Sequence, residues 1–139
     1  MEASLIQQSK RLAYIEDETE MIDLVRLILG RRGYVVLGAS GGSEGLELVR
    51  RELPDLILLD LMMPDMDGWD VYHQIKSDAA TRDIPVIVIT AKAQNIDKVL
   101  GLRIAKVEDY IAKPFSPQEL LDRIDKVLSK QSKPSIQES

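Results

Sequence analysis

The sequence predicts a doubly wound α/β fold built on a five-stranded parallel sheet. Three observations carry that expectation. Five short apolar runs recur along the 139 residues, at 12–15, 34–37, 56–59, 86–89 and 110–112. They are nearly continuous in apolar character rather than alternating, as strands buried on both faces are. Segments with helical spacing separate them, and strands alternating with helices pack as a parallel sheet covered on both sides. The length suits one domain and is too short for two independent cores.

Taken in order, residues 1–10 open without periodicity and read as an N-terminal tail, and the domain is expected over 11–130. After the first run, Met21, Leu24, Val25, Ile28 and Leu29 form one helical stripe, and Gly33 supplies a C-terminal stop. Gly38, Gly41, Gly42 and Gly45 follow the second run. No pair among them has the G-x-G-x-x-G spacing and no Gly-Lys-Ser/Thr follows, which argues against a nucleotide cradle. Asp65-Met66-Asp67-Gly68 echoes a calcium loop, but its twelfth position is Lys76 where a bidentate Glu is needed. It reads instead as a turn and helix start, with Gly68 where small size is wanted. On the helix that follows, Trp69, Tyr72 and Ile75 are packing residues and His73, the single histidine, is a surface residue. The last helix carries Leu120, Leu121, Ile124, Val127 and Leu128 behind Ser116-Pro117-Gln118-Glu119, a capping box with Pro at the first helical position. Residues 131–139, rich in Ser, Gln and Lys, read as a C-terminal tail or linker remnant.

Composition narrows the function. Hydrophobic residues make up 45% and charged residues 29%, a globular balance. Eighteen Lys and Arg against 23 Asp and Glu give a net charge of −5, the wrong sign for holding nucleic acid or anionic lipid by general electrostatics. There is no cysteine, which excludes disulfides, thiolate nucleophiles and zinc or iron–sulfur ligation through sulfur. No apolar run approaches the roughly 18 residues of a membrane span, and the N-terminus lacks a signal-peptide core. The expectation is a cytoplasmic protein.

Ligands of open parallel sheets sit beyond the carboxyl ends of the strands. Glu16 and Asp17 follow the first run, Asp60 the third, Thr90 the fourth and Lys113 the fifth. Carboxylates gathered at one sheet edge repel by about 4 kcal/mol for a pair near 4 Å at an effective dielectric of 20. A hard divalent ion offsets this, and Mg²⁺ takes one or two carboxylates with phosphate oxygens completing its shell. Lys113 offers a second positive charge. Any one of these acids alone would read as a helix N-cap. Their joint placement at C-terminal strand ends points to magnesium-assisted phosphoryl chemistry.

Four motifs carry a family resemblance: Tyr14-Ile15-Glu16-Asp17, the stretch from Leu58-Leu59-Asp60 through Met62-Met63-Pro64 to Gly68, Ile89-Thr90-Ala91, and Asp109-Tyr110-Ile111-Ala112-Lys113-Pro114-Phe115. Over residues 11–130 the chain resembles a receiver domain of a two-component response regulator, most closely receivers of the winged-helix transcription-factor branch. The resemblance implies a flavodoxin-like sheet flanked by five helices. It makes Asp60 the phosphoacceptor, with Glu16, Asp17 and the main-chain carbonyl of Met62 around Mg²⁺, and Glu16, one methylene longer than the Asp often found there, acting through water. Lys113, on a cis Lys113-Pro114 bond, neutralises phosphoryl oxygens, and Thr90 donates its hydroxyl to one of them. Tyr110 is either the aromatic switch that turns inward with Thr90 or a tyrosine filling the core.

A sensor histidine kinase is the implied phosphoryl donor, and a downstream effector or phosphotransfer protein the implied recipient of the signal. The implied output surface comprises the fourth helix, fifth strand and fifth helix. Lys98, Asp109, Glu119 and Arg123 match the paired charges through which that branch dimerises, while Asp125 and the Lys106-Val107 insertion region depart from it. A monomer that dimerises weakly on phosphorylation is expected. Met62 and Lys92, two residues beyond the acceptor and the switch hydroxyl, are large enough to crowd an attacking water, so self-dephosphorylation is expected to be slow. No effector segment follows the last helix, which suits either a stand-alone regulator or a receiver cut from a longer one. Two rivals are a phosphatase of the haloacid dehalogenase kind using Asp65 and Asp67, against which Pro64 breaks the strand-adjacent spacing, and a receiver-like scaffold that works unphosphorylated.

Overall fold

A computed structural model of the chain describes residues 9–91 and 107–132. The order is β1 (Arg11–Ile15), α1 (Thr19–Gly30), β2 (Val35–Ala39), α2 (Gly42–Glu52), β3 (Leu56–Leu59), α3 (Gly68–Ser77), β4 (Val86–Ala91), β5 (Asp109–Lys113) and α4 (Pro117–Ser132). All five strands pair in parallel in the order β2-β1-β3-β4-β5. This is the doubly wound arrangement of flavodoxin-like folds, with its switch in strand order between β1 and β3. Four helices lie among the described residues. The expected fourth helix, with Lys92, Lys98, Gly101, Leu102 and Lys106, falls on 92–106, outside them, as do most of both expected tails. The helix expected to be fifth is therefore α4 here.

Near-continuous apolar runs become strands covered on both faces. β3 is buried at every position, and β4 from Val86 to Thr90. Alternation divides their side chains between two cores. Leu12, Tyr14, Leu58, Ile87, Ile89 and Ile111 face α1 and α4 on one side. Ala13, Ile15, Ile57, Leu59 and Val86 face α2 and α3 on the other. Each fully buried Leu or Ile contributes about 1.5–3 kcal/mol through loss of apolar contact with water.

The stripe of α1 is rotated from the one expected. Ile22, Val25, Ile28 and Leu29 are buried, while Leu24 is 45% exposed. Both sets fit a helical period, and the helix seats the one that meets Val36 and the α4 leucines. Gly33 ends the helix with φ +86, a left-handed conformation that glycine adopts without a Cβ clash. The second strand begins at Val35 rather than Tyr34 and runs on to Ala39.

Helix α4 starts where the capping box placed it. Ser116 Oγ accepts the Glu119 N–H at 3.0 Å, while the Glu119 carboxylate lies 3.7 Å from Arg123. Leu120, Ile124, Val127 and Leu128 are buried as expected. Asp67 caps α3 by accepting the Trp69 N–H at 2.8 Å. At Gly68 a Cβ would stand 2.4 Å from Leu61 Cα and 2.8 Å from the Asp60 carbonyl oxygen. The requirement for small size is met by backbone touching backbone. Trp69, Tyr72 and Ile75 pack as anticipated, and His73 is exposed, edge-on to Tyr72 at 5.6 Å.

Candidate functional site

The C-terminal ends of β1, β3, β4 and β5 surround a cleft of about 300 Å³ lined by Glu16, Asp17, Glu18, Asp60, Met62, Thr90, Ala91 and Lys113. The residues picked from strand ends thus share one cleft. Parallel pairing brings them there, because Ile15 is level with Leu59 and Thr90 with Ala112, so residues just beyond those positions meet at one edge. Carboxylate oxygens of Glu16, Asp17 and Asp60 lie within 4.8 Å of one another.

Lys113 joins two of these acids. Its Nζ donates to Glu16 Oε1 at 2.8 Å and to Asp60 Oδ2 at 3.3 Å. The Lys113-Pro114 bond is cis. Glu16 is fully buried, and its remaining acceptors take the Tyr14 hydroxyl on Oε1 at 2.9 Å and the Glu18 N–H on Oε2 at 3.1 Å. Asp60 also accepts the Met62 N–H at 3.1 Å.

Burial pushes the Asp60 carboxyl up to about 6; the Met62 N–H opposes the shift, the Glu16 charge adds to it and the Lys113 charge opposes it. At neutral pH it remains mostly ionised, which suits a nucleophile. Burial by itself would lower Lys113, but its hydrogen bond to Glu16 and the nearby Asp60 charge raise it, so the ammonium is retained. Burial, followed by the Glu16 charge and hydrogen bond, drives the Tyr14 phenol upward.

The Thr90 hydroxyl is buried and has no hydrogen-bond partner among the described residues. An unsatisfied hydroxyl at a polar cleft suits a group that awaits an acceptor there. Tyr110 is half-buried on β5, level with Val88, with its hydroxyl buried. Asp109 and Arg123, two of the expected dimer charges, pair with each other within the chain at 2.6 Å. Asp125 is held by Arg32 and by the Tyr34 hydroxyl.

An all-oxygen set of three carboxylates fits a hard divalent cation such as Mg²⁺, and Lys113 does not by itself neutralise the three. Sequence reasoning missed the Tyr14 hydroxyl and the Glu18 N–H on Glu16 and, away from the cleft, the capping role of Asp65. Tyr14 enters only within the first apolar run and its motif, Glu18 is not singled out, and Asp65 reads as part of a turn. The Asp65 carboxylate caps α2, accepting the Gly42 N–H at 3.0 Å and the Ser43 N–H at 3.3 Å. The phosphatase rival gave Asp65 a catalytic part; here it ties the loop after β3 to α2. The same-face spacing of residues 14 and 16 was the one available signal for Tyr14.

Comparison with known proteins matches residues 12–125 to the response regulator receiver domain. The chain belongs to this family. Among curated relatives it is 39% identical over 120 residues to the alkaline phosphatase synthesis transcriptional regulatory protein PhoP of Bacillus subtilis, covering 86% of this chain and 49% of that protein. It is 37% identical over 128 residues to the probable transcriptional regulator ycf27 of Guillardia theta, covering 92% of this chain and 49% of that one. The receiver spans about half the length of these relatives. A CheY-like receiver domain protein from Methanospirillum hungatei superposes with a TM-score of 0.83 at 29% identity, over 91% of this chain and 98% of that one. The resemblance to receivers of transcriptional regulators is therefore borne out. Receivers are signalling domains that generally bind Mg²⁺ at an acidic pocket and work with sensor histidine kinases and effectors, and this receiver has such an acidic group. Among the described residues, no helix is long and apolar enough to cross a membrane.

Proposed function

We propose that residues 11–130 form a phosphoacceptor receiver that takes a phosphoryl group from a sensor histidine kinase onto Asp60. One observation carries the reading: Asp60, two further acids, an ammonium and an unsatisfied hydroxyl line one cleft. Glu16, Asp17, Asp60 and the Met62 main-chain carbonyl would hold Mg²⁺. Bound there, the ion would neutralise charge on the phosphoryl oxygens. An Asp60 carboxylate oxygen attacks phosphorus while the bond to the kinase's phosphohistidine nitrogen breaks, and that nitrogen keeps the electron pair. No base is needed, since the attacking group is already an anion. Lys113 follows the charge onto the transferred oxygens, and Thr90 donates its hydroxyl to one of them.

Adding about −1.5 to −2 units of charge at Asp60 biases the surface around β5 and α4, with Tyr110 as the switch residue, toward a state read by an effector or phosphotransfer protein. The internal Asp109–Arg123 pair supports a monomer that dimerises only weakly on phosphorylation. Light scattering with and without beryllofluoride checks this, and a tight dimer in both states contradicts it. Met62 beside the cleft supports slow self-dephosphorylation, in keeping with a signalling domain rather than a turnover enzyme; Met62→Asn is expected to release phosphate faster.

Acetyl phosphate with Mg²⁺ tests the central claim. A Phos-tag mobility shift that disappears in Asp60→Asn is expected. No shift with Mg²⁺ present would favour the unphosphorylated scaffold, and turnover of a generic phosphomonoester would favour the phosphatase.

A further inference from the structure

We propose that Tyr14 is a positioning residue for the acidic cluster, setting through Glu16 how strongly that carboxylate draws on a bound Mg²⁺; the inference rests on the metal-site reading above. Strand alternation puts residues 14 and 16 on the same face of β1. The Tyr14 ring is fully buried in the core beside Leu12 and Leu58, a space that phenylalanine fills equally well. Packing therefore does not call for the hydroxyl. A buried hydroxyl is costly unless bonded, and this one donates to Glu16 Oε1 at 2.9 Å.

The length of Glu16 is what closes that contact. An aspartate would hold its oxygens one methylene short of the phenol. With Lys113 at 2.8 Å on the same oxygen and the Glu18 N–H on the other, three of the roughly four lone-pair sites of the carboxylate are engaged. A cation must compete with these donors for the same oxygens. Lys113 also sits nearer Glu16 than Asp60, whose contact is 3.3 Å. Tyr14 thus holds Glu16 toward the core and the ammonium, and leaves Asp17 and Asp60 as the acids freer to meet the ion. Removing the hydroxyl removes one competitor.

The test is calorimetric titration of the whole chain with MgCl2. Tyr14→Phe is expected to tighten Mg²⁺ binding by roughly three- to tenfold, about the worth of one hydrogen bond. Glu16→Asp takes the carboxylate out of reach of the phenol, and in that background adding Tyr14→Phe is expected to change affinity less than about twofold. Thermal unfolding without metal establishes that each variant is folded. Wild type that binds Mg²⁺ while Tyr14→Phe binds it no more tightly overturns the inference alone. Equal tightening in both backgrounds also overturns it, since the hydroxyl would then act by packing and not through Glu16. Wild type that takes up no Mg²⁺ and shows no acetyl-phosphate shift overturns the site reading, and the inference falls with it.

Discussion

Two groups of charged side chains tie distant parts of this molecule together, and they obey different physics. At the cleft, Lys113 is shared by Glu16 and Asp60, with side-chain exposures of 19%, 0% and 4%. At the seam between the turn after α1 and helix α4, Asp125 takes Arg32 and the Tyr34 hydroxyl with 33% of its side chain exposed and 43% of the arginine's. Water screens the second group, so making or breaking it changes little. The first is desolvated, so each charge there depends on the others. The concentration of cost at the cleft marks it as the place where a change in charge has leverage over the fold.

The sharpest way to break this contrast is to remove the shared cation. Lys113→Met leaves two buried acids without their ammonium and is expected to cost about 3 kcal/mol or more at pH 7.5, read from urea unfolding. A loss as small as that of an exposed pair would erase the distinction.

Removing one acid should do the opposite. The Asp60 carboxyl is raised from its ordinary value to about 6, so the folded state favours the protonated form. Its contribution to stability is therefore present below about pH 4 and lost as pH rises through about 6. Without Mg²⁺, Asp60→Asn is expected to be more stable than wild type by about 2 kcal/mol near pH 7.5, with the difference vanishing near pH 4. Urea titrations across that range check the sign, and a gap that widens toward acid would contradict it.

A smaller effect belongs to Asp65, whose role is capping. Asp65→Ala is expected to cost about 1 kcal/mol, with exchange of the Gly42 and Ser43 amides accelerated. Smallest is Asp125→Ala, at under about 1 kcal/mol and less as salt is added.

What the sequence disclosed follows the same divide. Strand ends were legible because parallel pairing gathers everything that follows a strand, so Glu16, Asp17, Asp60, Thr90 and Lys113 could be chosen without knowing any contact. The start of α4 was legible because its cap is local, Ser116 to Glu119. Asp65 capping α2 was not, for its partners lie 23 and 22 residues away. The buried face of α1 was ambiguous because Leu24 and Ile22 both fit a helical period, and only the opposing surface chooses between them. Tyr14 and Glu16 lay in plain view two residues apart. What did not show is that the same Glu16 oxygen also takes Lys113, which lies 97 residues further along the chain.

The bare backbone contact at Gly68 sets how the stretch from Asp60 onward is aimed. Main chain pressed on main chain offers no rotamer to yield, so the spacing between the first turn of α3 and the Asp60–Leu61 peptide is fixed by atoms that substitution cannot trim. Helix α3 acts as an anvil for that peptide, and every residue but glycine would lift the segment carrying Asp60 off it.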